Sequence, residues 1–309
     1  RSGFLVPTIK NTANSNNYLS IPYFSAISLN KDITFTPRFY TDDKFLLQSE
    51  YRQVNKDSKH ISDFSFFSQN SKSSKNHFFY DYQKNLNFSY FEESNLDIKI
   101  EKTSNDTYLK SNKLISSLIN DYNVLKNNLR LNLYSDDLSI KSEFTIYENL
   151  DKNSSDRYEF ILPRFDISKK FKNQTRLEGN FTFNSNNLIR NYETNIFEKY
   201  NINNLIFNSD PLISKKGLNN NYNFVIKNVN SDTQNSSGFK ENENFYLSGL
   251  FQFNSSLPLI KEINSYKKIL KPKISLKISP ENTKDLSSDN DHRIDVNNIF
   301  NLDRLSVSD

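Results

Sequence analysis

The feature that most constrains this chain is a period of two in its apolar residues. In Ile33-Thr34-Phe35-Thr36-Pro37-Arg38-Phe39 the odd positions are apolar and the even ones polar. Leu96, Ile98 and Ile100 alternate with Asp97, Lys99 and Glu101, and Leu129, Leu131 and Leu133 with Arg130 and Asn132. Leu138, Ile140, Phe144 and Ile146 interleave with Ser139, Lys141, Glu143 and Thr145, and Leu177, Phe181 and Phe183 with Glu178, Asn180 and Thr182. Leu270, Ile274, Leu276 and Ile278 oppose Lys271, Lys273, Ser275 and Lys277. Successive side chains of a strand point to opposite faces, so each segment makes a ribbon with one greasy and one wet side. Helical spacing recurs nowhere at comparable length. The pattern predicts an all-β, antiparallel chain.

Short polar links such as Thr41 to Lys44 and Tyr134 to Asp137 suit tight turns, whereas Gln69 to Asn76 and Asn228 to Glu243 read as longer loops. The length allows roughly 11–13 strands of about 9–11 residues, the size that crosses a bilayer in a barrel. Composition narrows the choice. Hydrophobic residues are only 35%, below the roughly 45–50% of an ordinary domain. Yet 26 Phe and 17 Tyr are far too many rings for a disordered chain. No apolar run approaches the roughly 20 residues of a membrane-spanning helix, which excludes a helical membrane protein and leaves one built of strands.

Other classes fall away for want of residues. Without cysteine there is no disulfide, thiolate metal site or thiol nucleophile, and five scattered glycines form no phosphate-cradling loop. A net charge of +4 with mixed signs demands no nucleic-acid partner. His60, His77 and His292 stand apart from one another in polar contexts, and the acidic run ending at His292 reads as a solvated loop. Pairs such as Glu92-Glu93 and Asp136-Asp137 read as turn residues, and Tyr266-Lys267-Lys268 as a solvated strand end. Nothing here argues for an enzyme, a cofactor or a metal. With Arg1 leading and no methionine, the chain reads as a fragment or a processed product.

A soluble sandwich also alternates, and periodicity alone leaves it open beside an outer-membrane barrel. Three features favour the barrel. Charges such as Arg38, Glu50, Arg52, Lys141, Glu143 and Lys273 fall in mid-strand on the wet side, as beside a water-filled lumen. Tyr23, Phe24, Phe39, Tyr40, Tyr147 and Tyr158 cluster near strand ends, as in an interfacial girdle. Glycine is scarce, unlike the turn-rich soluble β folds. Two prolines then interrupt strand-like segments: Pro22 in Ile21-Pro22-Tyr23-Phe24, and Pro37. Proline cannot donate to a ladder, so either pairing is weakened where the sheet begins or both prolines mark strand ends.

The proline-bearing opening also carries a resemblance. Ser2 through Pro7, Ile21 through Phe24 and Asp32 through Phe39 resemble the start of the barrel domain of the LptD family of lipopolysaccharide-assembly proteins, also called organic solvent tolerance proteins. The likeness continues at Lys102 to Leu109, Ile161 to Asp166, Leu270 to Lys273, Ser279 to Asn282 and Phe300 to Ser306. The chain departs from the family pattern at Phe24-Ser25-Ala26 and at Asp303, Leu305 and Val307. The resemblance implies residues 1–16 as a lead-in from an upstream periplasmic jelly-roll and 17–309 as the N-terminal half of a very large transmembrane β-barrel.

It further implies an address in the outer membrane of a Gram-negative bacterium and a non-enzymatic role. That role is passing lipopolysaccharide through a lateral gate between the first and last barrel strands. Pro22 and Pro37 would be the gate prolines of the first two strands. The implied partners are an LptE-like lipoprotein plug, a periplasmic LptA-like bridge reached through the jelly-roll, lipopolysaccharide and membrane lipids. Competing expectations are a passive porin-like channel or receptor barrel and a β adhesin without a membrane face.

Overall fold

The computed structural model describes residues 1–11, 17–41, 43–70, 73–171, 178–238, 241–263 and 266–279. The chain opens with two short strands, β1 (Gly3–Phe4) and β2 (Thr8–Lys10), then β3 (Tyr18–Ser20), β4 (Tyr23–Ser28), β5 (Lys31–Tyr40), β6 (Lys44–Val54), β7 (Ser58–Gln69), β8 (Lys75–Asn85) and β9 (Glu93–Thr103). A single helical turn, α1 (Tyr108–Asn112), precedes β10 (Val124–Tyr134), β11 (Leu138–Asn149), β12 (Tyr158–Phe171), β13 (Gly179–Tyr192) and β14 (Ile196–Ser209). The rest are β15 (Leu212–Ile213), β16 (Asn219–Gln234), β17 (Asn244–Ser256), β18 (Leu259–Ile263), β19 (Tyr266–Leu270) and β20 (Lys273–Ile278). Eighteen strands form one sheet, and β18 with β19 a separate hairpin. Twelve strands, β5 to β14 with β16 and β17, have ten residues or more, as the alternation predicts. The architecture is all-β and antiparallel, consistent with a stretch of barrel wall. No helix among the described residues is long and apolar enough to cross a membrane.

The chain divides into two compact units, one of residues 1–134, 142–162 and 192–194, the other of 135–141, 163–191 and 195 onward. In the first, β4 through β10 pair as consecutive antiparallel neighbours. Register sorts the side chains. Phe35, Leu47 and Phe66 lie on one side, while Arg38, Leu46 and Phe67 share a cross-strand row on the other. The dry side stays uncovered: Phe39, Phe64, Phe66, Phe78, Ile100 and Leu129 are all exposed. The core instead lies against the wet side, where the segment between β9 and β10 folds back over the sheet. Tyr108, Leu109, Leu114 and Leu118 pack there with Leu46, Phe79, Leu125 and Leu150.

In the second unit, β14, β16, β17 and β20 pair in turn. Phe207, Phe224 and Phe251 share one cross-strand row, flanked by Phe181 and Tyr222, whose rings lie 4.6 and 5.7 Å from that of Phe207. Gly179 opens β13 because Phe207 crowds it. A Cβ there would stand 2.7 Å from the ring and 2.4 Å from the Asn208 carbonyl oxygen.

The opening residues pair with the sheet, β1 with β4 and β2 with β3. An extended segment beside an open sheet edge satisfies its own backbone groups by pairing there. Asn228 to Gln234 continue β16 instead of starting a loop, because asparagines on facing strands bond one another. Leu270 closes β19 rather than opening the last strand, since Pro272 cannot extend a ladder and its carbonyl instead accepts the Leu257 N–H at 3.1 Å.

Candidate functional site

The N-terminal edge of the sheet is where its ladders are poorest. Pro7 separates β1 from β2, and Pro22 separates β3 from β4. Gly3 pairs with Phe24 but Thr8 with Ser20, so the outer ribbon carries one extra residue around Pro7 and its register slips, as at a bulge. Between these short ladders the Leu5 N–H donates to the Pro22 carbonyl at 2.8 Å.

On its other side, β3 pairs with β5 through residues 38–40, and β4 with β5 through residues 31–35. The gap between the two ladders falls at Ile21-Pro22 opposite Thr36-Pro37. Two missing backbone donors therefore lie diagonally across one break. Pro37 itself stays within β5, opposite Leu47 of β6. The structure thus brings Pro22 and Pro37 together, but on the second and third ribbons from the N-terminus, because residues 3–10 supply a ribbon outside them. Pro7, which sequence reasoning left in the lead-in, belongs to the same weak corner. Its signal was legible as a third proline at equal spacing from Pro22.

Below this corner the segment between β9 and β10 packs on the wet side. Arg38 of β5 is buried and reaches the folded-back segment, its Nη1 donating to the Asn112 carbonyl at 2.6 Å. Gln48 Nε2 donates to the Ile115 carbonyl at 3.0 Å and to Asp63 Oδ2 at 2.9 Å. Ser65 Oγ lies 2.5 Å from His77 Nδ1 and 2.7 Å from the Tyr108 hydroxyl. His77 Nε2 lies 3.5 Å from Asp63 Oδ1. His77 therefore does not stand apart, as its sequence context suggested: register places it opposite Ser65.

Serine, histidine and aspartate in contact look like a nucleophile with its base and orienter. All three are fully buried, however, and Ser65 Oγ already faces two partners, so nothing can approach it. The network fastens the folded-back segment to the sheet through Tyr108. Burial pushes the Tyr108 phenol up to about 12, which keeps it a hydroxyl that can bond Ser65. Among the described residues no group of three metal-ligating side chains gathers. His60 sits elsewhere, its Nδ1 at 2.9 Å from the Tyr80 hydroxyl, and His292 lies outside the described residues.

The resembling motifs have visible work. Thr103 Oγ1 donates to the Asn105 carbonyl at 2.9 Å, and Thr107 Oγ1 to Asn105 Oδ1 at 2.9 Å. Together they turn the chain from β9 into α1. Asp106 accepts from Arg157 at 2.7 Å, and Arg157 also meets Glu148 at 2.5 Å. The guanidinium holds the Asp106 carboxyl below its ordinary range. Leu162, Pro163 and Arg164 run through β12, whereas residues 300–306 lie outside the described residues.

No protein-family model matches the chain. Two curated proteins do. LPS-assembly protein LptD of Nitrosococcus oceani is 40% identical over 55 residues, 18% of this chain and 8% of that protein. LPS-assembly protein LptD of Cupriavidus necator is 30% identical over 108 residues, 35% of this chain and 13% of that protein. The matched stretches are thus a small part of those relatives' lengths. Over part of its length, this chain is similar in sequence to the LptD proteins of LPS assembly.

Proposed function

We propose that the chain is part of the wall of an outer-membrane translocon that inserts lipopolysaccharide into the outer leaflet, and that the N-terminal corner of the sheet is one side of its lateral gate. The observation that carries this is the pairing of an uncovered apolar side, backed by a charged and hydrogen-bonded one, with a sheet edge whose ladders stop at prolines. An exposed apolar surface this extensive needs a covering, and hydrocarbon covers a barrel wall. Each lost backbone bond lowers the work of opening a seam by roughly 0.5–1.5 kcal/mol, so three prolines at one corner lower it several-fold more than one. The similarity to LptD proteins supplies the cargo. The wet side would border the saccharide, and the seam would release the lipid sideways. That reading brings with it an LptE-like plug lipoprotein, a periplasmic LptA-like bridge and the lipid bilayer as partners. It involves no bond-making chemistry.

The test is substitution of Pro22 and Pro37 by alanine, singly and together, in the full-length protein in cells. Restored donors should slow the appearance of new surface lipopolysaccharide and raise sensitivity to hydrophobic antibiotics, most in the double variant. Unchanged surface lipopolysaccharide and permeability in the double variant would remove these prolines from the gate. A steady open-pore current in planar bilayers, indifferent to the prolines, would favour the passive channel instead.

A further inference from the structure

We infer that the wet side of the first unit holds a binding site for a phosphorylated sugar, in a basic cavity of about 370 Å³ beside the proline corner. The size falls within the roughly 300–1,000 Å³ of small-molecule sites. Its floor is set by register. Tyr18 pairs with both Lys10 and Tyr40, and Lys44 with Gln69, which lines these side chains up across β2, β3, β5, β6 and β7. Lys75 stands one row away opposite Phe67, and the end of α1 closes the cavity with Ser111, Asn112 and Lys113.

Four lysines thus converge, and no carboxylate is among the described residues that line the cavity. Like charges gathered in a cleft concentrate a positive potential on the space between them. Lysine meets phosphate as a point charge with three donors, and no helix terminus or glycine loop is needed. The same walls carry flat rings. Tyr18 and Tyr40 lie 5.3 Å apart, and Tyr40 and Phe67 6.2 Å apart. Tyr108 lines the cavity beside them. Arg38, 5.1 Å over the Tyr18 ring, holds that ring in place from below. Rings beside cations, with Gln69, Ser111 and Asn112 to meet hydroxyls, suit a sugar phosphate better than a bare anion.

Lysines that merely solvate strand ends would splay outward. Here Lys10, Lys44 and Lys75 are half-buried, and they face the wet side instead of the apolar one. The glycolipid identity of the ligand rests on the translocon reading above, whereas the anion site does not.

The experiment uses purified full-length protein in detergent and three probes: inorganic phosphate, a phosphorylated glucosamine lipid, and the same lipid with its phosphates removed. The phosphorylated lipid should bind, with affinity falling as salt rises. The combined substitution Lys10→Gln, Lys75→Gln and Lys113→Gln should weaken it about tenfold or more. The stripped lipid should bind weakly to both proteins. The arginine versions of the three substitutions keep the charge and should restore binding, which separates loss of the site from loss of the fold. Displacement by millimolar inorganic phosphate would show that the site takes the free anion. Lysine-dependent binding without displacement would assign it to the phosphorylated headgroup. Equal binding of both lipids by wild-type and glutamine-substituted protein would overturn the site. Because binding is read on purified protein and the gate in cells, failure of one leaves the other standing.

Discussion

Leu114, Gly179 and Asp106 show how single side chains carry separate burdens. Leu114 is fully buried in the cluster that docks the folded-back segment on the sheet. Leu114→Ala should cost about 2–5 kcal/mol of docking. Hydrogen exchange of amides 107–122 should speed up accordingly, while strand amides stay protected. At Gly179 the barrier is steric: Gly179→Ala forces a methyl group against Phe207 and the Asn208 carbonyl. It should lower the unfolding midpoint of the full-length protein, and replacing Phe207 by leucine in the same chain should recover part of the loss. Asp106 adds a pH term. Its folded carboxyl titrates below the ordinary value of about 3.9 because Arg157 hydrogen-bonds it. The stabilisation is therefore complete above that ordinary value and is lost as pH falls through the depressed one. A carbon-13 titration should place Asp106 below free aspartate, and Arg157→Gln should return it to the ordinary range.

At the scale of elements, the two hairpin-like edges differ in kind. The β18–β19 hairpin pairs Leu259 with Leu270 and Ile263 with Tyr266, and Ile260 and Ile269 are exposed. Its base is closed by the Leu257 to Pro272 bond. Replacing residues 259–270 with a tight Asn-Gly turn should leave the unfolding midpoint of the full-length protein within a degree or two, and a large fall would show that the hairpin packs on something essential. The β1–β4 corner is the opposite case: a few short ladders, each ending at a proline, carry the edge. The alternation of apolar and polar residues made β5 and β9 to β11 legible, because one repeat decides both the strand and its face. It gave no warning that the outermost ribbon starts at Gly3, since two short strands split by Pro7 show too little alternation to register. Asn228 to Gln234 deceived for a related reason: asparagine favours turns, but here Asn228 and Asn230 bond Asn201 and Asn203 on the facing strand.

For the whole molecule the decisive quantity is the uncovered apolar side. A protein whose Phe64, Phe66, Phe78 and Leu129 all stay exposed should remain monodisperse only in detergent or bilayer. Full-length protein stripped of detergent should aggregate, whereas a β adhesin would stay dispersed; light scattering decides between them.

The sequence by itself determined that the chain is antiparallel β, which residues face which side, and that its opening resembles that of lipopolysaccharide-assembly barrels, because strand geometry converts a period of two directly into faces. Only the tertiary structure decided what meets across strands: Ser65 against His77, Pro22 diagonal to Pro37 at one break, and Lys10, Lys44 and Lys75 around one cavity. Those meetings depend on register and on where the segment after β9 folds back, and a shift of one residue, invisible in composition or periodicity, would undo them all.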